Sequence, residues 1–430
     1  MKESQIIFLE SMMKAISSEN VNEIICRTLS IINPKIIKHG EITGYILYKM
    51  LECEHVYSDH DLVDYTMLSI LHDIGLYKEP NVQNVVDLDS KDVWSHSIYG
   101  FLFLKYFTPL KDKAEIVLYH HIDYNRYHLI SSKYLHIIEC LNLADHMDTF
   151  MHLRQDDMEK DYFVKYRDIK FSGKALDLFF RAEAKFKITE KLVNGTYKKE
   201  LSEFLSKKVF SEKYKKGFLE MLVYTIDFRS EHTVIHSMAT VSFARQLGRL
   251  MRLSGVELHN LYYGALLHDL GKLAIPLEIL ESPGRLSAEE MKIMKAHVRI
   301  TEMILEGVVD QDVLEIAVRH HEKLDGTGYH KGLTKEDLTL PQQIVAVADI
   351  LSALYGRRSY KDSFESDKIK KILWNDAENN KISKPVVECL LRNYDSIISK
   401  FETEKQQTIG LYLDIKEQYE VIAQKFTTYL

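Results

Sequence analysis

Apolar residues recur along this chain at three- and four-residue intervals over long stretches. Between Ser254 and Leu273 they fall at Leu258, Leu261, Tyr262, Ala265, Leu266 and Leu270, the spacing of one helix face. Leu314–His321 and Gln342–Leu354 repeat it. Only 7 prolines and 18 glycines interrupt 430 residues, and alternating runs closed by hairpin turns are scarce. The pattern predicts an all-α protein. Residues 155 to 225, rich in Lys, Glu, Phe and Tyr, predict a packed amphipathic helical connector, not a flexible linker. Residues 364 to 430 predict further helices closing the second half.

Comparison of the chain with itself is more informative. One half carries His39, His72–Asp73, His96, His120–His121 and Asp145; the other carries His236, His268–Asp269, His297, His320–His321 and Asp349. Taken in order, the counterparts lie 197, 196, 201, 200 and 204 residues apart. Matched elements in one order at nearly one spacing read as a tandem duplication. Two tandem helical domains are expected, residues 1–185 and residues 186–430, joined by the helical connector.

The repeated residue types have a common chemistry. Imidazole nitrogen and carboxylate oxygen are the usual protein ligands of divalent first-row metals. An adjacent His–Asp pair near a helix end lets the carboxylate bridge two ions while the imidazole binds one. The remaining histidines must then arrive from other helices. Two ions about 3.5–4 Å apart activate a water and neutralise a phosphoryl oxygen, which suits hydrolysis of a phosphodiester. A lone buried histidine is usually a satisfied core residue, but an ordered set recurring in two halves overrules that explanation. The four cysteines, Cys26, Cys53, Cys140 and Cys389, are scattered without a CxxC pair. Without thiolates the set favours iron or manganese over structural zinc.

Composition narrows the setting. A hydrophobic content of 46% and a charged content of 28% are those of a globular protein. The net charge of −7 argues against a nucleic-acid polymer or an anionic membrane as partner. No apolar run approaches the roughly 18 residues that span a bilayer, and the N-terminal stretch lacks a cleavage signal. A cytoplasmic protein is expected, and a homodimer is compatible with these features.

Five segments of the second half carry a family resemblance: HSMATVSFARQLGRL, ALLHDLGKLAIPLEIL, LSAEEMKIMKAHVRITEMIL, AVRHHEKLDGTGYHKGL and IVAVADILSALYGRRSYKD. With HDxGK, HHExxDGxGY and a downstream aspartate at family-like spacing, residues 230 to 365 resemble the HD-GYP family. The resemblance implies a bacterial cyclic-dinucleotide phosphodiesterase with two divalent ions. His236, His268, Asp269 and Asp349 would hold one ion. Asp269 would bridge to a second, held by His297, His320 and His321. Lys272, one helical turn from the His–Asp pair, would assist Asp269 at the scissile phosphate. In the DGTGY turn Gly326 and Gly328 permit a close backbone approach and Tyr329 offers a stacking face. Arg358 and Lys361 match the family's RxYK segment, which contacts substrate phosphate and base. Two departures stand out. His330 replaces the proline of GYP, and His232, with Glu231 beside it, stands where some members carry a glutamate for a third ion.

The first half retains all seven ligands, His39, His72, Asp73, His96, His120, His121 and Asp145, so a metal is expected there too. Leu76 occupies the position of Lys272, however, and HHIDYNRYH replaces the Gly-Tyr loop. This half resembles a general HD domain. The expected function is metal-dependent hydrolysis of cyclic di-GMP or 3′,3′-cyclic GMP–AMP to a linear dinucleotide, and onward to mononucleotides. The alternatives are a catalytically silent cyclic-dinucleotide receptor and an HD-type nucleotidase or (p)ppGpp hydrolase.

Overall fold

A computed structural model describes residues 16–78, 93–153, 160–227, 231–282, 284–356 and 366–426. Arg358 and Lys361 lie outside the described residues, as does the side chain of His232. Every described element is an α- or 3₁₀-helix, and the extended pairings among the described residues are two isolated bridges, Arg167–Phe171 and Asp325–Thr334. The all-α expectation holds. No described helix is long and apolar enough to cross a membrane.

The chain forms two compact units. One comprises the described residues of Ile32–Met221 and Leu413–Leu430, the other those of Met1–Ile31 and Leu222–Tyr412. This partition runs at Met221/Leu222, so residues 186–221 pack with the N-terminal unit, and each unit also takes in a terminal segment. Helix Ser18–Ile32 belongs with the C-terminal unit: the Arg27 guanidinium donates to the carbonyls of Ile304 at 3.3 Å and Glu306 at 2.8 Å. Helix Tyr394–Phe426 is divided between the units, and in the N-terminal unit Tyr419 stacks on Tyr99 at 4.3 Å.

In the N-terminal unit the relevant helices are α1 (Pro34–Glu54), α2 (Asp59–Ile70), α3 (Val93–Phe107) and α4 (Leu135–Leu153). Asn33 caps α1 by accepting from the Lys35 amide, with Pro34 preset for the first turn. Ser58 caps α2 in the same way, and α1 packs on both α2 and α4. In the C-terminal unit α5 (Glu231–Leu250), α6 (Gly255–Leu267), α7 (Ala288–Leu305), α8 (Gln311–Val318) and α9 (Leu340–Gly356) play the corresponding parts. Reciprocal capping boxes, Ser254 with Glu257 and Ser287 with Glu290, begin α6 and α7. Packing of α5 on α9 buries Phe243, Leu247, Val347 and Leu351 with Phe401 from the last helix. Each such side chain contributes about 1.5–3 kcal/mol by leaving water.

The site-bearing helices end sooner than their apolar patterns suggest. Residues 254–273 are not one helix: α6 stops at Leu267, and a 3₁₀ turn follows over Leu270–Ala274. Likewise α8 stops at Val318, before His320. A close backbone approach accompanies the break at the His–Asp turn. A Cβ on Gly271 would overlap the His297 carbonyl of α7, and one on Gly75 would overlap the His96 carbonyl of α3. Each His–Asp turn thus lies backbone-to-backbone against the next ligand's helix. Thr301 ties the turn down, accepting from the Gly271 amide at 2.9 Å and donating to the His268 carbonyl at 3.1 Å. Gly271→Ala is therefore expected to destabilise the C-terminal unit by about 1–3 kcal/mol, measured as a lowered denaturant midpoint.

Candidate metal centre

In the C-terminal unit three helices and two turns deliver the seven sequence-predicted ligands to one place. His236 comes from α5 and Asp349 from α9. His268 and Asp269 follow α6, His297 lies in α7, and His320 and His321 follow α8. His236 Nε2 stands 3.2 Å from Asp269 Oδ2 and 3.1 Å from Asp349 Oδ1, while His268 Nε2 is 3.0 Å from Asp269 Oδ2. Asp269 Oδ1 faces His297 at 3.5 Å and His320 at 3.9 Å. Asp269 lies between two groups, as a bridging carboxylate must. Asp349 Oδ2 reaches His321 at 3.6 Å.

The other imidazole nitrogens are committed to the protein. Nδ1 of His268, His297 and His320 donates to the carbonyl three residues earlier, at 2.8, 2.6 and 2.6 Å. His236 Nδ1 donates to Ser352 Oγ at 2.8 Å. Each tautomer is thus set with Nε2 facing inward, the usual outer support of a metal ligand. Nε2 of His236 and His268 and Oδ1 of Asp269 are buried without a well-directed hydrogen bond among the described residues. Buried acceptors of that kind are costly unless a cation completes them. The donor set fits a divalent metal. Ligand atoms of His297, His320 and His321, and those of His236, His268 and Asp269, form two groups, each within 4.8 Å.

The N-terminal unit repeats the geometry. His39 Nε2 lies 2.8 Å from Asp145 Oδ1, His72 Nε2 3.4 Å from the same oxygen, and His96 Nε2 3.4 Å from Asp73 Oδ1. His120 Nε2 is buried 3.9 Å from Asp73 Oδ1, and His121 Nδ1 is 3.6 Å from Asp145 Oδ2. All seven predicted residues converge here as well, in two groups: Asp73, His96, His120, His121 and His39, His72, Asp145. A further group, His60, Asp61 and Asp64, is an ion-pair cluster. Lys113 and Lys208 bind Asp64, and Tyr214 donates to it at 2.7 Å.

The Lys272 ammonium sits on Asp269 Oδ2. The Tyr329 ring lies 4.7 Å from the His321 ring, and Lys295 Nζ stands over the Tyr329 ring, 4.8 Å from its centroid. Burial, with Asp349 and Asp269 nearby, raises the Tyr329 hydroxyl far above its usual range, so it stays a neutral donor. Gly326 takes φ +74°, which favours glycine, and a Cβ on Gly328 would overlap the backbone of Glu322 and Lys323. Three residues went unrecognised in the sequence. Glu322, 3% exposed, collects the amides of His330, Lys331 and Leu333 at 3.0, 2.6 and 3.0 Å, so one buried carboxylate holds the whole loop. Glu302 on α7 clamps the same loop through His330 at 2.8 Å and Lys331 at 2.9 Å. The proline lost at position 330 is thus replaced by an ion-pair anchor. Asp148 holds His39 Nδ1 at 2.6 Å. Extending the repeat comparison one turn past Asp145 and Asp349 would have found it. Glu322→Ala strips three amides of their acceptor and is expected to cost about 2–4 kcal/mol, read as a lowered melting temperature.

The histidines divide electrostatically. Burial opposes charge on His268, but Asp269 and Asp349 outweigh it and push the group up to about 10; His236, His39 and His72 also rise. Burial, with neighbouring imidazoles, pushes His321 and His120 down to about 3, and lowers His297, His320 and His121. The raised group stabilises the metal-free fold fully below the unfolded value of about 6.5, and this is lost as pH climbs towards 10. The lowered group stabilises it above 6.5, and this is lost as pH falls towards 3. Chelated protein is therefore expected to melt highest near pH 6.5 and lower on either side, measured by thermal scans across pH.

Residues 220–384 match the family model described as HD domain. Over this segment the chain is similar to HD domains. Its ligand set, from His236 to Asp349, falls wholly inside the match. The chain is 25% identical over 403 residues to 3′3′-cGAMP-specific phosphodiesterase 1 of Vibrio cholerae, covering 88% of this chain and 93% of the relative. It is 36% identical over 182 residues to 3′3′-cGAMP-specific phosphodiesterase 2 of the same organism, covering 41% of this chain and 34% of the relative. Against the cyclic di-GMP phosphodiesterase of Thermotoga maritima the identity is 33% over 193 residues, covering 44% and 52%. With these last two the HD domain shares a third to a half of the relative's length. Among solved structures, a cyclic GMP-AMP specific phosphodiesterase of V. cholerae superposes with a TM-score of 0.56 over 88% of this chain and 98% of its own, at 16% identity. The fold is therefore shared well beyond the HD domain.

Proposed function

We propose that the HD domain of the C-terminal unit hydrolyses a 3′,3′-cyclic dinucleotide, with cyclic GMP–AMP the preferred substrate. One observation carries this reading: a complete, buried His/Asp constellation stands beside a Gly-Tyr loop, in a chain matched almost end to end by a cyclic GMP–AMP phosphodiesterase. Similarity of the HD domain to cyclic di-GMP phosphodiesterases supports a second reading, cyclic di-GMP. The domain assignment follows: an HD-type unit lacking the loop, then an HD-GYP unit, acting in the cytoplasm.

His236, His268, Asp269 and Asp349 would hold one divalent ion, and Asp269 with His297, His320 and His321 a second. Iron or manganese suits this nitrogen and oxygen set. When bound, such ions supply Lewis-acid stabilisation of a phosphoryl oxygen and activation of water. The chain does the rest. The Lys272 ammonium, held at Asp269, faces the charge that develops on the phosphate as the ester bond breaks. Tyr329, stacked near His321, presents a neutral hydroxyl and a ring face to a base. Lys295 at the Tyr329 ring adds a cation for the second phosphate of the ring-shaped substrate. Arg358 and Lys361 follow in sequence as the remaining phosphate and base contacts.

The test is direct. Protein loaded with manganese or iron under reducing conditions is incubated separately with 3′,3′-cyclic GMP–AMP and cyclic di-GMP, and the products are separated by chromatography. Linear dinucleotide is expected from the first faster than from the second. No turnover of either compound removes the enzyme reading.

A further inference from the structure

The two constellations differ in what stands behind their first histidine. Asp148 follows Asp145 by three residues on α4, and Ser352 follows Asp349 by three on α9, so the two are counterparts. In the N-terminal unit Asp148, 1% exposed, accepts from His39 Nδ1 at 2.6 Å. In the C-terminal unit the acceptor for His236 Nδ1 is the neutral hydroxyl of Ser352 at 2.8 Å, whose own proton goes to the Asp349 carbonyl at 2.7 Å. A second difference lies at the bridging carboxylate. Lys272 puts an ammonium on Asp269, whereas its counterpart Leu76 is a hydrocarbon side chain, 1% exposed.

Both replacements act in one direction. Carboxylate for hydroxyl adds one negative charge and leucine for lysine removes one positive charge, so the N-terminal set is two units more negative. Negative charge favours a divalent cation and repels a phosphate ester. A carboxylate behind a ligating imidazole also makes that imidazole a better donor and fixes its orientation, and losing it typically costs 10–100-fold in affinity. The C-terminal set makes the opposite compromise: its lysine weakens cation binding but leaves the site less repulsive to an anionic substrate.

We propose that the N-terminal site is a retained-ion site. It holds its divalent cation more tightly than the C-terminal site does, and Asp148 is the positioning residue that secures it through His39. The proposal rests on the reading that both constellations bind metal.

The full-length chain is loaded with Mn(II) and dialysed against rising chelator, and manganese per chain is measured by mass spectrometry. Asp269→Ala isolates the N-terminal site and Asp73→Ala isolates the C-terminal one. Manganese in the Asp269→Ala protein is expected to survive about tenfold or more chelator beyond that which empties the Asp73→Ala protein. Adding Asp148→Asn to Asp269→Ala should lower the releasing chelator concentration by about 10–100-fold and alter the Mn(II) electron paramagnetic resonance spectrum. Asp148→Ser should bring the N-terminal site close to the C-terminal one. Circular dichroism establishes that each variant is folded. An N-terminal site that empties first, or an Asp148→Asn site that releases manganese like its parent, overturns the proposal alone. A chain that binds no manganese at either site overturns the metal reading as well.

Discussion

Asp269→Ala is expected to lower hydrolysis of a cyclic dinucleotide by at least about 10³-fold, whereas Asp73→Ala should lower it less than about tenfold. The difference follows from what each carboxylate faces. Asp269 lies between His236 and His268 on one side and His297 and His320 on the other, and it also carries Lys272. Its removal takes a ligand from both groups at once and frees the ammonium. Asp73 occupies the same place among His72, His96 and His120, but Leu76 stands where the ammonium would be. Initial rates on the two variants, with manganese content measured alongside, separate the two sites. Full activity in Asp269→Ala would show that the chemistry happens elsewhere.

Lys272→Leu, which copies the N-terminal unit, should reduce kcat by about 10²–10³-fold while leaving manganese bound as tightly as before, or more so. The sign of the metal effect distinguishes this lysine from a structural one. An ammonium on Asp269 repels cations, so its loss cannot weaken metal binding by charge. Catalysis suffers because the developing charge on phosphate loses a fixed cation in a site largely closed to water. A KM change without a kcat change would instead make Lys272 a binding group.

The loop between α8 and α9 explains how a departure from a familiar motif can leave a site intact. With histidine at 330 the chain loses a preset φ, but Glu322 and Glu302 supply five hydrogen bonds to loop residues between 330 and 333. Stiffness from ring closure has been exchanged for stiffness from buried and half-buried carboxylates. The sequence alone made His330 look like a weakness. Glu322 belongs to the HHExxDGxGY run, 8 residues before His330, but its spacing does not say that the carboxylate turns back onto the loop, and Glu302 lies 28 residues away on another helix.

Other differences between pattern and structure have the same root. Helical periodicity identified α6 and α8 but ran through their ends. Leu270 keeps the spacing of a buried residue even though the helix has stopped, and burial does not distinguish an α-helix from the 3₁₀ turn that follows. The turn that follows lies so close to the His297 carbonyl that only glycine fits at 271, a contact made from another helix.

What the sequence determined by itself was the helical class and the ordered recurrence of fourteen His and Asp residues in two halves, because each rests on residue type and spacing along one chain. Tertiary structure alone decided that the fourteen converge as two sets, that the units take in each terminal segment of the chain as they do, and that Asp148 and Ser352 stand behind equivalent histidines. Those outcomes depend on which helix faces which. Packing sets that through the summed burial of many apolar side chains, and no single spacing encodes it.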